Sequence, residues 1–161
     1  MNSRLLITPL VALILLLCAC GCSKKEDASP APNTGVFQLD DVSISCNAKA
    51  TSSVGSIGSS FYDFLDLDLT PIQATKGVNR LRLTLYKEPG SPATTYLLRN
   101  LSVYSELNGS PYNFAGTSFT LTATGEGSFS GSFTGKVSAS SSSIPGPYTT
   151  ITNGVFTKVK F

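Results

Sequence analysis

The amino-acid sequence predicts an all-β domain: an antiparallel β-sandwich, immunoglobulin-like or similar, with a partly open β-barrel as the alternative. Three observations lead there. Apolar and polar residues alternate with a period of two in one segment after another, which puts successive side chains on opposite faces of extended strands. Clusters of Gly, Pro and Asn separate those segments at short intervals. No stretch after residue 22 sustains a helical period.

The first strand signal runs from Val36 to Ala50. Val42, Ile44, Cys46 and Ala48 alternate there with Ser43, Ser45, Asn47 and Lys49, so Cys46 is expected to point inward as a buried free thiol. Phe37 and Leu39 continue the same sheet ahead of a kink at Asp40 and Asp41. In FYDFLDLDL (61–69), Leu65, Leu67 and Leu69 share one face and Asp66 and Asp68 the other; in RLRLTLY (80–86), Leu81, Leu83 and Leu85 oppose Arg80 and Arg82. A hairpin centred near Ala74 pairs Asp66 with Arg82 and Asp68 with Arg80 and sets leucine against leucine behind them. EPGSP (88–92) reads as a turn, TTYLLRNLSVYSEL (94–107) as one or two strands, and Asn108-Gly109 as a further turn. Phe119, Leu121 and Ala123 alternate with threonines, and a reversal at Gly125–Gly127 sets Phe119 opposite Phe133. TTITNGVFTKVKF (149–161) closes the domain, with a bulge at Asn153-Gly154.

The N-terminal part has a different organisation. Arg4 precedes an apolar run from Leu5 to Leu17, which is shorter than the roughly 20 residues a bilayer-spanning helix needs and suits a signal-peptide core. LCACGCSKKED (17–27) resembles the lipobox of bacterial lipoproteins, in which a small residue precedes the cysteine that is diacylated and becomes the mature N-terminus. Ala19 and Leu17 select Cys20; Gly21 before Cys22, with CSKKED following, makes Cys22 the alternative. Two acyl chains anchor stably, each buried CH₂ contributing about 0.8 kcal/mol. Residues 23–35, rich in charge, Ser and Pro, form a tether. The expected organisation is therefore a signal peptide at 1–19, a lipidated cysteine and tether at 20–35, and one domain at 36–161.

Composition narrows the function classes. The formal net charge is +2, with basic residues scattered among acids, so no counterion-releasing face for nucleic acid is expected. Histidine and tryptophan are both absent, which removes the commonest general base and metal ligand and the best ring for stacking on a cation. There is no Gly-Xaa-Ser-Xaa-Gly elbow, and GEGSFSG (125–131) leads into strand where a phosphate loop leads into a helix N-terminus. Asp63, Asp66 and Asp68 on a strand do not converge as calcium ligands do. Neither cofactor, metal nor catalytic residue is predicted.

The CSKKED start, the strand near 42–48, the stretch NGSPYNFAGTSFTLTATGEGSFSGSFTGKV (108–137) and the ending ITNGVFTKVKF (151–161) together resemble small Bacteroidota outer-membrane lipoproteins of unknown function. The resemblance covers most of the mature chain and implies a β-sandwich anchored by lipid and facing the periplasm or the cell surface. It carries over no catalytic residues. The expected role is that of a non-catalytic binding or structural module of the cell envelope, with a protein or glycan partner. One alternative is a carbohydrate-binding accessory of a glycan-uptake system, for which the 6 tyrosines offer a platform. Another is a hydrolase with paired carboxylates, although the strand faces give each acid a basic partner.

Overall fold

A computed structural model describes residues 31–73, 77–105, 113–124, 127–138 and 148–161. Among the described residues the strands are β1 (Thr34–Leu39), β2 (Val42–Ile57), β3 (Ser60–Pro71), β4 (Val78–Lys87), β5 (Leu97–Ser105), β6 (Asn113–Thr124), β7 (Ser128–Ser138) and β8 (Tyr148–Lys160), with a 3-10 turn at Ala93–Thr95. All join one 8-stranded antiparallel sheet in the order β5-β4-β3-β2-β1-β8-β7-β6. Apart from the β1–β8 pair, every ladder joins strands consecutive in sequence, so the topology is an up-and-down meander whose first and last strands close it. At the remaining seam β5 and β6 approach without forming a ladder. The all-β class is as expected, and of the two architectures the chain adopts the partly open barrel. A two-sheet sandwich does not form, because β1 bonds β2 on one side and β8 on the other and merges what would be separate layers.

Local sequence explains the sharp reversals. Asp40 and Asp41 have φ of 46° and 65° and join Leu39 directly to Val42, a two-residue hairpin of the primed type in place of the expected kink. Gly58, at φ 61°, performs the same service between Ile57 and Ser60. Asn153, at φ 51°, marks the bulge in β8, where Val36 pairs with Val155 but Gln38 with Thr152.

The barrel is filled. Leu65, Leu67 and Leu69 of β3 face Leu85, Leu83 and Leu81 of β4, and Leu101 of β5 lies opposite Leu83; all of them are essentially inaccessible. On the far wall, Phe129, Phe133 and Val137 of β7 and Ile151, Phe156 and Val159 of β8 complete the core, with Phe119 and Leu121 packed at its margin. Glycines make room for the rings. A Cβ on Gly154 would lie 2.6 Å from the ring of its cross-strand partner Phe133, and one on Gly131 would lie 2.6 Å from the ring of Phe156 and 2.3 Å from the Thr120 carbonyl oxygen. Large and small residues thus alternate as a small barrel's interior requires.

The outer wall is polar. Ser118 bonds Thr134 and Thr120 bonds Ser132 across β6 and β7, and Asp66, Asp68 and Arg82 lie on the outside of β3 and β4. Phe119 stands opposite Phe133 in the β6–β7 ladder.

Gly131→Ala and Gly154→Ala are each expected to destabilise the domain by about 1–3 kcal/mol through overpacking. Gly90→Ala, at an exposed turn with nothing near the added methyl, instead bears only the strain of its φ of 76°. Urea unfolding of the three variants reads the difference, and equal losses at all three positions would contradict the ring-on-glycine packing.

Candidate functional site

The hairpin of β3 and β4 carries the charged residues singled out from sequence, in a register two residues from the expected one. Asp68 pairs with Arg82 and Asp66 with Thr84, where the sequence reading sets Asp68 against Arg80 and Asp66 against Arg82. An even displacement keeps every side chain on its expected face and leucine still meets leucine, so burial does not choose between the two registers. The ends of the hairpin choose. In the observed register Asp63 stands opposite Lys87 and bonds it at 2.5 Å, while β3 runs through to Leu69 against Leu81.

Arg82 holds Asp68 with two parallel bonds, from Nε and Nη2, both 2.7 Å. That side-chain hydrogen bond raises the guanidinium pKa further above its ordinary value, against the opposing effect of partial burial. Asp66 accepts from the Thr84 hydroxyl at 2.7 Å and lies 3.6 Å from Arg82. Arg80 lies 3.6 Å from Asp68 and stacks over the Tyr104 ring at 4.2 Å, though its buried Nε finds no acceptor. The two expected ion pairs thus survive as longer diagonal contacts around one bidentate pair.

Cys46 is 1% exposed, on the inner face of β2, and is unpaired. Burial pushes its thiol up to about 12. A thiolate is therefore suppressed at neutral pH, and the group packs as a small hydrophobe. Among the described residues no three Cys, Asp or Glu side chains gather as a metal site.

The tyrosines divide. Tyr104 belongs to the Arg80 stack, Tyr112 lies outside the described residues, and nothing is described of the Tyr148 side chain. Tyr62, Tyr86 and Tyr96 gather near one end of the barrel. Tyr62 and Tyr86 lie on the outer wall with ring centroids 5.3 Å apart, edge to face. Together with Lys87, Glu88, Ser91, Thr95 and Leu97 they line a groove of about 430 Å³ between the sheet and the loop that leads into β5. Tyr96 turns to the barrel mouth, 8% exposed, with the Lys87 ammonium 5.5 Å from its ring. Desolvation raises its pKa above the ordinary tyrosine value, partly countered by Lys87. A second concavity, about 390 Å³, opens at that mouth beside Asp63, Phe64 and Tyr96.

No protein-family model, curated protein or solved structure matches the chain.

Sequence reasoning treats the tyrosines collectively and reads Glu88 and Ser91 only as part of a turn. The pairing of Tyr62 with Tyr86 carries one sequence signal. Both share the outer face of the strands that bear the aspartate and arginine alternation, and either register of that hairpin brings them within reach of each other.

Two expectations follow. In a double-mutant cycle, Asp68 and Arg82 should couple by about 1 kcal/mol, and Asp68 and Arg80 by clearly less; the reverse ranking would restore the other register. The neutral Cys46 thiol contributes stability that is complete below the unfolded thiol pKa of about 8.5 and is lost as pH rises from there toward about 12. Cys46→Ala should accordingly flatten the alkaline fall in stability measured by urea unfolding. An unchanged slope would place the thiol in contact with water.

Proposed function

We propose that the chain is a non-catalytic binding module, held at the outer membrane by a diacylated N-terminal cysteine, Cys20 or Cys22, and that its barrel wall receives a carbohydrate in the Tyr62–Tyr86 groove. The observation that carries this reading is the make-up of the groove: two tyrosine rings 5.3 Å apart beside a carboxylate, an ammonium and two hydroxyls. A sugar presents apolar C–H faces and a perimeter of hydroxyls, and this lining offers a surface for each. Glu88 and Ser91 are placed to accept from or donate to hydroxyls, while Tyr86 and Leu97, cross-strand partners, supply the apolar floor.

The fate of the acids supports a non-catalytic role. Asp63 is committed to Lys87, Asp66 to Thr84 and Asp68 to Arg82. Each of these acids is engaged by a partner on the neighbouring strand, whereas a glycosidase needs two carboxyls facing each other across an open cleft. The placement of polar groups supports attachment beside a bilayer. A membrane-spanning barrel is apolar outside and polar within, and this one has the opposite arrangement.

A glycan array followed by calorimetric titration of the best-bound glycan tests the reading. Tyr86→Ala and Tyr62→Ala should each weaken binding at least about tenfold, equivalent to 1.4 kcal/mol, while leaving Tm nearly unchanged. Binding that survives both substitutions, or an array without binders, would overturn the proposal.

A further inference from the structure

We propose that the carbohydrate received by the Tyr62–Tyr86 groove is an amino sugar with a free, protonated amine, whose ammonium pairs with Glu88 while its ring lies on tyrosine. The inference rests on the binding reading above and adds the chemical class of the ligand to it.

The charges around the groove decide the class. Lys87 lines it, but its ammonium is bound to the Asp63 carboxylate at 2.5 Å and its side chain is only 11% exposed, so that positive charge is already matched. Arg82 is likewise held by Asp68. The Arg99 guanidinium lies over the Phe64 ring, 5.3 Å from its centre, and does not line the groove. Glu88 is exposed and, among the described residues, makes no hydrogen bond or ion pair. The lining therefore holds one uncompensated charge, and it is negative. Such a carboxylate attracts an ammonium and repels the carboxylate or sulfate of an acidic sugar.

The part of the wall that carries Glu88 is built in advance. Glu88 begins a turn whose central positions are Pro89 and Gly90; Gly90 has a φ of 76°, and the Ser91 N–H donates to the Glu88 carbonyl at 3.1 Å, as in a type II turn. Just beyond it, the Thr95 N–H and hydroxyl both donate to the Pro92 carbonyl, at 3.0 and 2.7 Å. The loop thus holds its shape through its own bonds. A ligand meets Glu88 and Ser91 already placed, with little ordering left to offset.

The tyrosines supply the other half of the match. Their rings stand at 86° to each other and so present faces in two directions. A pyranose lays its C–H face on one ring, and an ammonium beside a tyrosine face gains from the negative centre of that face as well as from a carboxylate. A hydroxyl or an acetamide at the same carbon carries no charge and forgoes both gains. An amine without a sugar leaves the apolar floor of Tyr86 and Leu97 uncovered.

Oligosaccharides that differ only in the group at one carbon test the inference by calorimetric titration of the intact protein: the tetramer of β-1,4-linked glucosamine, its fully N-acetylated counterpart and the glucose tetramer. At about pH 5.5, where the sugar amine is protonated, the glucosamine tetramer should bind about tenfold more tightly than the other two. Glu88→Gln keeps the shape of the side chain and removes its charge, and it should abolish that preference without lowering Tm. Equal binding of all the tetramers, weakened by Tyr86→Ala, would overturn the amino-sugar assignment and leave the groove reading standing. A preference that persists in E88Q would overturn the assignment as well. So would a glucosamine tetramer that fails to bind, the groove reading then resting on the glycan array alone. Glucosamine binding that Tyr86→Ala leaves unchanged would overturn both readings.

Discussion

The interior of the barrel is one continuous apolar filling, and the requirement to keep it dry governs every other feature of the molecule. Three strands contribute leucines that meet in register, and the opposite wall contributes phenylalanine rings seated over glycines. Because side chains alternate along each strand, filling the inside with hydrocarbon delivers the serines, threonines, aspartates and arginines to the outside without further instruction. The polar ladders on the wall and the burial of Cys46 both follow from that single constraint.

A filled barrel has to place recognition at its ends and on its outer wall. The two concavities near the Gly58 turn's end of the barrel lie where the regular alternation gives way to a loop and a projecting hairpin. The Asp63–Lys87 bridge sits between them, tying β3 to β4 at the point where the leucine filling stops. The same bridge sets the hairpin register, so the geometry of the groove and the alignment of the core are secured by one contact.

Much of this was legible in the sequence. The inward faces of β2, β3 and β4, the inward Cys46, the bulge at Asn153 and the opposition of Phe119 and Phe133 all follow from period-two patterning and turn chemistry. Patterning is silent about displacements by two residues, and for that reason Asp68 meets Arg82 where Arg80 was expected. It is silent too about whether a sheet folds back as two layers or curls until its edges join. The β1–β8 ladder that decides the matter joins Thr34 to Thr157, far apart in the chain, and leaves no local trace. The GSFSGSF segment did hold a clue: alternating Gly and Phe on one face is the filling of a narrow, curved interior, a motif that reads just as well as ordinary strand and turn. The tyrosine groove was the least legible part, because it depends on a loop conformation and on which tyrosines meet.

The pairing of the first strand with the last has a consequence for how the molecule comes into being. During N-to-C synthesis β1 has β2 beside it at once, but its other edge stays unsatisfied until β8, the final strand of the described fold, has emerged. The nascent domain is a curled ribbon with a raw margin, open to off-pathway association for nearly the whole of its production, and closure demands contacts of high sequence separation that slow folding. A chain built this way benefits from being kept unfolded until it is complete.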